Sequence, residues 1–368
     1  MRSQALVELL GVALPIVQAP MAGVDTAQLA AAVSEAGGLG SIAVGALDAR
    51  AARERIREIR VITNRPFNVN VFVHESPRRD LARERRWLRR LAASADRVGA
   101  MLPAVLEPPY RSFNEDDAML EVLLDEKPAV VSFHFGLPKA ARVDALRSVG
   151  IVLMASATTV REALALEAAG IDVIIAQGSE AGGHRGSFLA PIDPVGIGTM
   201  ALLPQVSDAI DGPVIAAGGI ADGRGIAAAL ALGAAGVQMG TAFIACPESG
   251  ASAEYRAALG RSAVAGTRVT RILSGRPARR VANATLDALA PHEAEVPDYP
   301  LAYHAGKVLA DAGAAIGHFD FAPHWAGQAA PLSRAMPAGE LVHHLALSAG
   351  AALGAAVRSS GSARSRLG

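Results

Sequence analysis

The chain has one cysteine, Cys246, in 368 residues, which excludes an internal disulfide and any metal centre built from several thiolates. Aromatic residues make up 4% of a sequence that is 51% hydrophobic, so the core must be filled largely by alanine and aliphatic side chains, as when helices pack tightly on a sheet. Neither sign of charge prevails. Lys plus Arg and Asp plus Glu number 35 each, and no global field steers the chain to nucleic acid or to an anionic membrane surface. No apolar run reaches the ~18 residues of a membrane span without a glycine or a charge. The opening MRSQALVELLGVALPIV lacks a small-residue cleavage site and runs into a core-like strand, which argues against a secretory leader; a reducing, cytoplasmic setting is expected. There is also no Gly-x-Gly-x-x-Gly after the first strand. QAPMAG stands there instead, which disfavours a doubly wound dinucleotide-binding sheet.

What the sequence does have is a rhythm. PIVQAP, GLGSIAV, FNVNVFV, AVVSFHFG, IVLMASA, DVIIAQG, PVIAAGG and GVQMGTAF read as strands separated by helical patterns such as TTVREALALEAAG, where Thr158 or Thr159 is placed to cap. The runs are continuously apolar rather than alternating, the mark of a parallel sheet covered on both faces. About eight such units in about 250 residues predict a (β/α)8 TIM barrel over residues 1–265. A stretch at 100–127 centred on Pro108, Pro109 and Tyr110 breaks the rhythm and reads as an excursion over the barrel mouth. Residues 266–355 read as a C-terminal, mainly helical extension packed on the barrel, and 356–368 as a disordered tail. The basic run RRDLARERRWLRR, Arg78 to Arg90, is interleaved with acids at helical spacing and reads as a solvated helix face.

Glycines concentrate where the last two barrel strands end, at Gly218-Gly219 and at Gly240-Thr241. Backbone N–H groups at such strand ends, with no side chain to block approach, suit a phosphate, and barrels commonly hold one there. Other strand ends carry amides, Asn70 and Gln177, and QAPMAG offers backbone at Ala19, Pro20 and Met21. Uncharged donors and acceptors suit a flat heterocycle such as a flavin ring. A flavin-free phosphosugar isomerase or epimerase would need carboxylates or lysines at the strand ends, which this chain lacks.

With these motifs the sequence resembles the nitronate monooxygenase family, formerly the 2-nitropropane dioxygenases, over residues 12 to 345. The resemblance implies FMN as cofactor and the oxidation of alkyl nitronates by O2 to a carbonyl compound and nitrite, in a monomer or homodimer that needs no metal. By the same resemblance Asn70 and Gln177 hydrogen-bond FMN, and Gly182, Gly218, Gly219, Gln238, Met239, Gly240 and Thr241 hold its ring edge and phosphate. VVSFHFGLP matches the class with an active-site histidine, here His134, acting either as a base toward a nitroalkane or as a cation holding the nitronate. Tyr110, Tyr299, Tyr303 and Lys307 match substrate-pocket positions, the last three at a helical spacing of four. His184 is expected to be structural, Arg185 to meet a phosphate or solvent, and Cys246 to be a packing residue. Relatives on the same barrel keep open a second reading, an NAD(P)H-fed flavin reductase of quinones or enoyl thioesters.

Overall fold

The computed structural model describes residues 2–189 and 195–364. Eight strands lie parallel: β1 (Ile16–Gln18), β2 (Gly40–Ala43), β3 (Phe67–Phe72), β4 (Val130–His134), β5 (Val152–Ala157), β6 (Val173–Gln177) and, after a short β7 (Gly183–His184), β8 (Val214–Ala217) and β9 (Gly236–Met239). Their order is β1-β9-β8-β6-β5-β4-β3-β2. The two ends of this series meet at the Val17–Leu39 bridge, where Gln18 N–H donates to Leu39 O and Leu39 N–H to Ile16 O, each at 2.9 Å, so the sheet closes into a barrel. All eight strands expected from the sequence are present, and nearly every residue in them is buried, as a sheet covered on both faces requires.

Local chemistry fixes where the helices start. The side chains of Thr26, Asp48, Thr159 and Asp222 each accept a backbone N–H at a helix N-terminus that follows a strand. Of the two threonines expected to cap, Thr159 does so. Thr158 instead donates to the buried Glu162, whose carboxylate also accepts from Phe188 N–H at 2.7 Å and Leu189 N–H at 3.0 Å. That one carboxylate ties the β5 turn to the loop after β7.

The extension is not only helices and loops. β10 (Thr267–Thr270) and β11 (Ala278–Val281) pair antiparallel, and β11 also takes on β7, giving a three-stranded sheet that stitches the extension to a barrel loop. The fragments TRVT and ARRV are too short to announce themselves, and their partners lie far off in sequence. Helix Leu301–Ala315 packs with helix Leu81–Val98 around a second core of Trp87, Leu91, Ile272, Leu273, Leu301 and Leu309. The basic run on Leu81–Val98 is therefore more than a solvated face: Arg83 pairs with Asp298 at 3.4 Å and Arg90 with Glu295 at 3.0 Å. The last helix, Ala338–Arg364, lies so close on Gly223 that a Cβ there would stand 2.3 Å from its backbone at Ser348 and Ala349. This helix runs on to Arg364, so 356–364 is helical where the sequence read as a tail, and 365–368 lie outside the described residues.

Candidate active site

At the C-terminal ends of the barrel strands is a cavity of about 500 Å³. The fold brings every residue singled out for a site into its walls: Ala19, Pro20, Met21, Asn70, Tyr110, His134, Gln177, Gly182, Gly218, Gly219, Gln238, Met239, Gly240, Thr241, Tyr299, Tyr303 and Lys307. The excursion brings Tyr110 to the cavity wall and is tied to the extension by the bond from Glu107 N–H to His304 Nδ1 at 3.0 Å. Tyr110 stands edge-on to Phe72 and to Tyr303, with centroids 6.0 Å and 5.7 Å away.

One end of the cavity is the glycine corner. Gly218 and Gly219 have φ of 106° and 72°, a region that favours glycine, and this bends the chain out of β8. Among the described residues the N–H groups of Gly219 and Thr241 donate to nothing in the protein. No lysine or arginine lines this end; Lys307, at the mouth, is the one lysine or arginine on the cavity wall among the described residues. Arg185 does not meet solvent in this fold. It is 1% exposed and donates to Gly178 O at 2.6 Å.

The middle is lined by amides whose bonds fix their orientation. Asn70 Nδ2 donates to Ser132 O and Oγ at 3.1 and 3.0 Å, leaving Oδ1 for a ligand. Gln177 Oε1 accepts from Gly186 N–H at 2.8 Å and Nε2 donates to His184 O at 3.1 Å, leaving one amide hydrogen. Gln238 Oε1 is buried with no partner among the described residues, an acceptor waiting for a donor. Free N–H groups at one end and neutral amides in the middle fit a flavin and its phosphate. No cluster of possible metal ligands is found among the described residues, and no helix there is long and apolar enough to cross a membrane.

The other end is an aromatic box around His184. Its ring centroid lies 5.0 Å from Trp325, 5.5 Å from Phe135, 5.6 Å from Tyr299 and 6.1 Å from Tyr303. Its Nε2 lies 2.8 Å from Ser274 Oγ, while Nδ1 has no partner among the described residues, and the residue lines the cavity. His134 differs. Nδ1 is 3.0 Å from Ser156 Oγ and Nε2 is 3.2 Å from His184 O, so Nε2 carries the hydrogen and both nitrogens are engaged. Burial, reinforced by the Arg276 guanidinium nearby, pushes His134 down to about 4 and His184 to about 3. Burial thus favours the neutral form of both rings. Burial raises the phenols of Tyr110 and Tyr299 far above their ordinary value and Tyr303 to about 12, so all three stay protonated. Tyr299 precedes helix Leu301–Ala315 rather than lying on it, yet its ring joins Tyr303 in the same wall. Cys246 is fully buried, as expected of a packing residue.

The histidine box and Trp325 escaped the sequence reading. Trp325 comes from the extension, and no local pattern ties it to the barrel.

The sequence profile of nitronate monooxygenase matches residues 3–348. This chain belongs to the nitronate monooxygenase family. It is 53% identical over 343 residues to the nitronate monooxygenase of Paraburkholderia phytofirmans, an alignment covering 93% of this chain and 94% of that one. It is 52% identical to the nitronate monooxygenase of Pseudomonas aeruginosa, covering 92% and 96%. Among solved structures, nitroalkane oxidase from Streptomyces ansochromogenes superposes with a TM-score of 0.88 at 44% identity, covering 95% of this chain and 99% of that one. FabK from Thermotoga maritima is more distant, with a TM-score of 0.76 at 30% identity, covering 97% and 98%. The protein is thus an enzyme, a flavin-dependent oxidoreductase with nitronate monooxygenase activity on a TIM barrel.

Proposed function

We propose that the flavin is FMN and that the substrates are short alkyl nitronates, oxidised with O2 to a carbonyl compound and nitrite. The observation that carries FMN is the glycine corner, where Gly219 and Thr241 offer two unpartnered N–H groups with no cation beside them, a seat for one phosphate. On this reading Ala19, Pro20 and Met21 give backbone to the ring. Asn70 gives Oδ1, Gln177 its remaining hydrogen and Gln238 its buried Oε1, while Gly182, Gly218, Met239 and Gly240 leave room. Bound there, the flavin supplies the electron acceptor for the nitronate and the group that O2 reoxidises.

The side chains do the rest. His134 is the residue first expected to be catalytic, but its nitrogens are spent on Ser156 and on the His184 carbonyl, and its proposed role is to position the turn that carries His184. His184 presents Nδ1 to the cavity between Tyr299 and Tyr303. A neutral imidazole there accepts the α-proton of a nitroalkane at Nδ1. The oxygens of a nitronate are met by the protonated phenols of Tyr299 and Tyr303 and, from the mouth, by Lys307. Tyr110, with Lys307 Nζ 5.2 Å from its ring centroid, closes the outer wall. The lone buried cysteine accords with a cytoplasmic enzyme.

Anaerobic mixing of the flavin-loaded protein with a butyl nitronate and, separately, with NADH tests the substrate. Bleaching by the nitronate alone is expected; bleaching by NADH with the nitronate inert would turn the assignment to a reductase. Mass spectrometry of the released cofactor tests FMN, and FAD would overturn that choice.

A further inference from the structure

Phe135 and Tyr299 are shared by two cavities. On their far side from the site above lies a second cavity of about 450 Å³, walled by the segment after β3, the loop after β7 and the turn between β10 and β11. No part of the proposed flavin chemistry uses it. Its interior holds two polar groups with capacity to spare. His74 is 4% exposed, and its Nδ1 has no partner among the described residues. Arg276 donates from Nε to Arg185 O at 3.1 Å and from a terminal nitrogen to Ser187 O, both carbonyls, and no carboxylate pairs with it among the described residues. Glu162 and Glu75 act on this largely buried guanidinium only through space, with no carboxylate hydrogen-bonded to it among the described residues, which leaves it able to take an anion directly.

The acids near the opening form no ion pair with Arg276. Glu293 accepts from Thr270 Oγ1 at 2.7 Å and Arg271 N–H at 3.1 Å, and Asp298 pairs with Arg83. Glu75 and Arg78 stand exposed at the rim, and Glu75 makes no hydrogen bond to Arg276. Arg271 is spent on Gly275 O at 3.1 and 3.0 Å, and the apolar part of the wall has Phe135 lying under the Arg276 guanidinium at 4.5 Å, with Phe188 and Pro277 beside it.

We propose that this second cavity binds a small organic carboxylate, its head on Arg276 and His74 Nδ1 and its apolar body against Phe135, Phe188 and Pro277. The volume falls in the range of small-molecule pockets, roughly 300–1,000 Å³, which a bare triatomic anion would leave mostly empty. Burial, with Arg276 adding to it, pushes His74 down to about 4, so its ring is neutral and donates a hydrogen bond to the carboxylate without competing for the anion's charge. The inference reaches beyond the nitronate site, although nitrite shares the planar oxyanion head and must be told apart from a carboxylate.

Calorimetric titration of the flavin-loaded protein with benzoate, benzamide and nitrite separates the possibilities. Benzoate is expected to bind at least tenfold tighter than benzamide. His74→Leu should weaken it at least tenfold, and Lys307→Met, in the other cavity, should leave it within twofold. No binding of benzoate at millimolar concentration, loss in Lys307→Met but not in His74→Leu, or a site that takes nitrite and rejects benzoate would each overturn the proposal. Independently of any variant, crystals soaked in p-bromobenzoate should show the bromine anomalous peak beside Phe188, whereas a peak confined to the cavity at Lys307 would refute the assignment.

Discussion

His134 Nε2 donates to the backbone carbonyl of His184 across 3.2 Å, so of the two histidines in the cavity wall the one that the sequence marks as catalytic holds the turn that carries the other. Gln177 Nε2 reaches the same oxygen at 3.1 Å, and β4 and β6 thereby fasten the turn at β7 from two sides.

The two histidines should separate in kinetics. His184→Asn is expected to lower kcat/KM for a neutral nitroalkane by about 10²–10⁴, the contribution of a general base, while sparing most turnover of preformed nitronate. His134→Asn removes one hydrogen bond, worth about 0.5–1.5 kcal/mol, and should cost less than about tenfold with both substrates, flavin retained. The reverse pattern, measured on flavin-replete variants, would return the catalytic role to His134.

Gly219 and Gly240 should fail differently. A Cβ on Gly219 would stand 3.3 Å from Glu180 Cβ at a φ of 72°, so Gly219→Val strains the protein and empties the flavin site together. A Cβ on Gly240 meets Ala19 Cβ at 3.4 Å, an ordinary contact, so Gly240→Val should keep the melting temperature of the flavin-free protein while losing flavin. Full flavin content in both variants, read from the visible spectrum, would show that the glycines only shape turns.

At the mouth, Lys307→Met is expected to raise KM for nitronate without changing flavin content. Tyr303→Phe breaks the hydrogen bonds of Tyr303 with Tyr110 and Trp325 and should lower kcat/KM by about two- to tenfold. Loss of flavin with unchanged nitronate KM in Lys307→Met would contradict the placement of Lys307 on the substrate side.

Acid should unfold this protein early. Burial pushes His74, His134 and His324 to about 4 and His184 to about 3, against ~6.5 in an unfolded chain. Between those values the unfolded chain binds protons that the folded one does not. The stability these rings contribute is present above ~6.5 and lost as pH falls toward 4. Asp25, raised by burial to about 7, works in the opposite sense, as one group against four. The melting temperature should therefore drop between pH 6.5 and 4.5; a flat profile there would show the rings to be solvated. Turnover of preformed nitronate should show no imidazole titration between pH 6 and 8.5.

The eight strands, a threonine cap at Thr158 or Thr159 and the strand-end residues of the cavity wall were legible in the sequence because each rests on a short-range cause, whereas Tyr110, Tyr299, Tyr303 and Lys307 were reached only through the family resemblance. Continuous apolar runs bury both faces of a strand, and strand ends in a barrel all open on one side, so a list of strand-end residues is already a list of neighbours. What the sequence could not decide depends on partners distant along the chain. β10 and β11 exist through pairing with each other and with β7, Trp325 reaches His184 only because the extension folds back, and the opposite fates of His134 and His184 follow from which nitrogens find Ser156, Ser274 and a carbonyl. Local pattern sets which residues end each strand, and tertiary packing alone sets which of their atoms are left free to react.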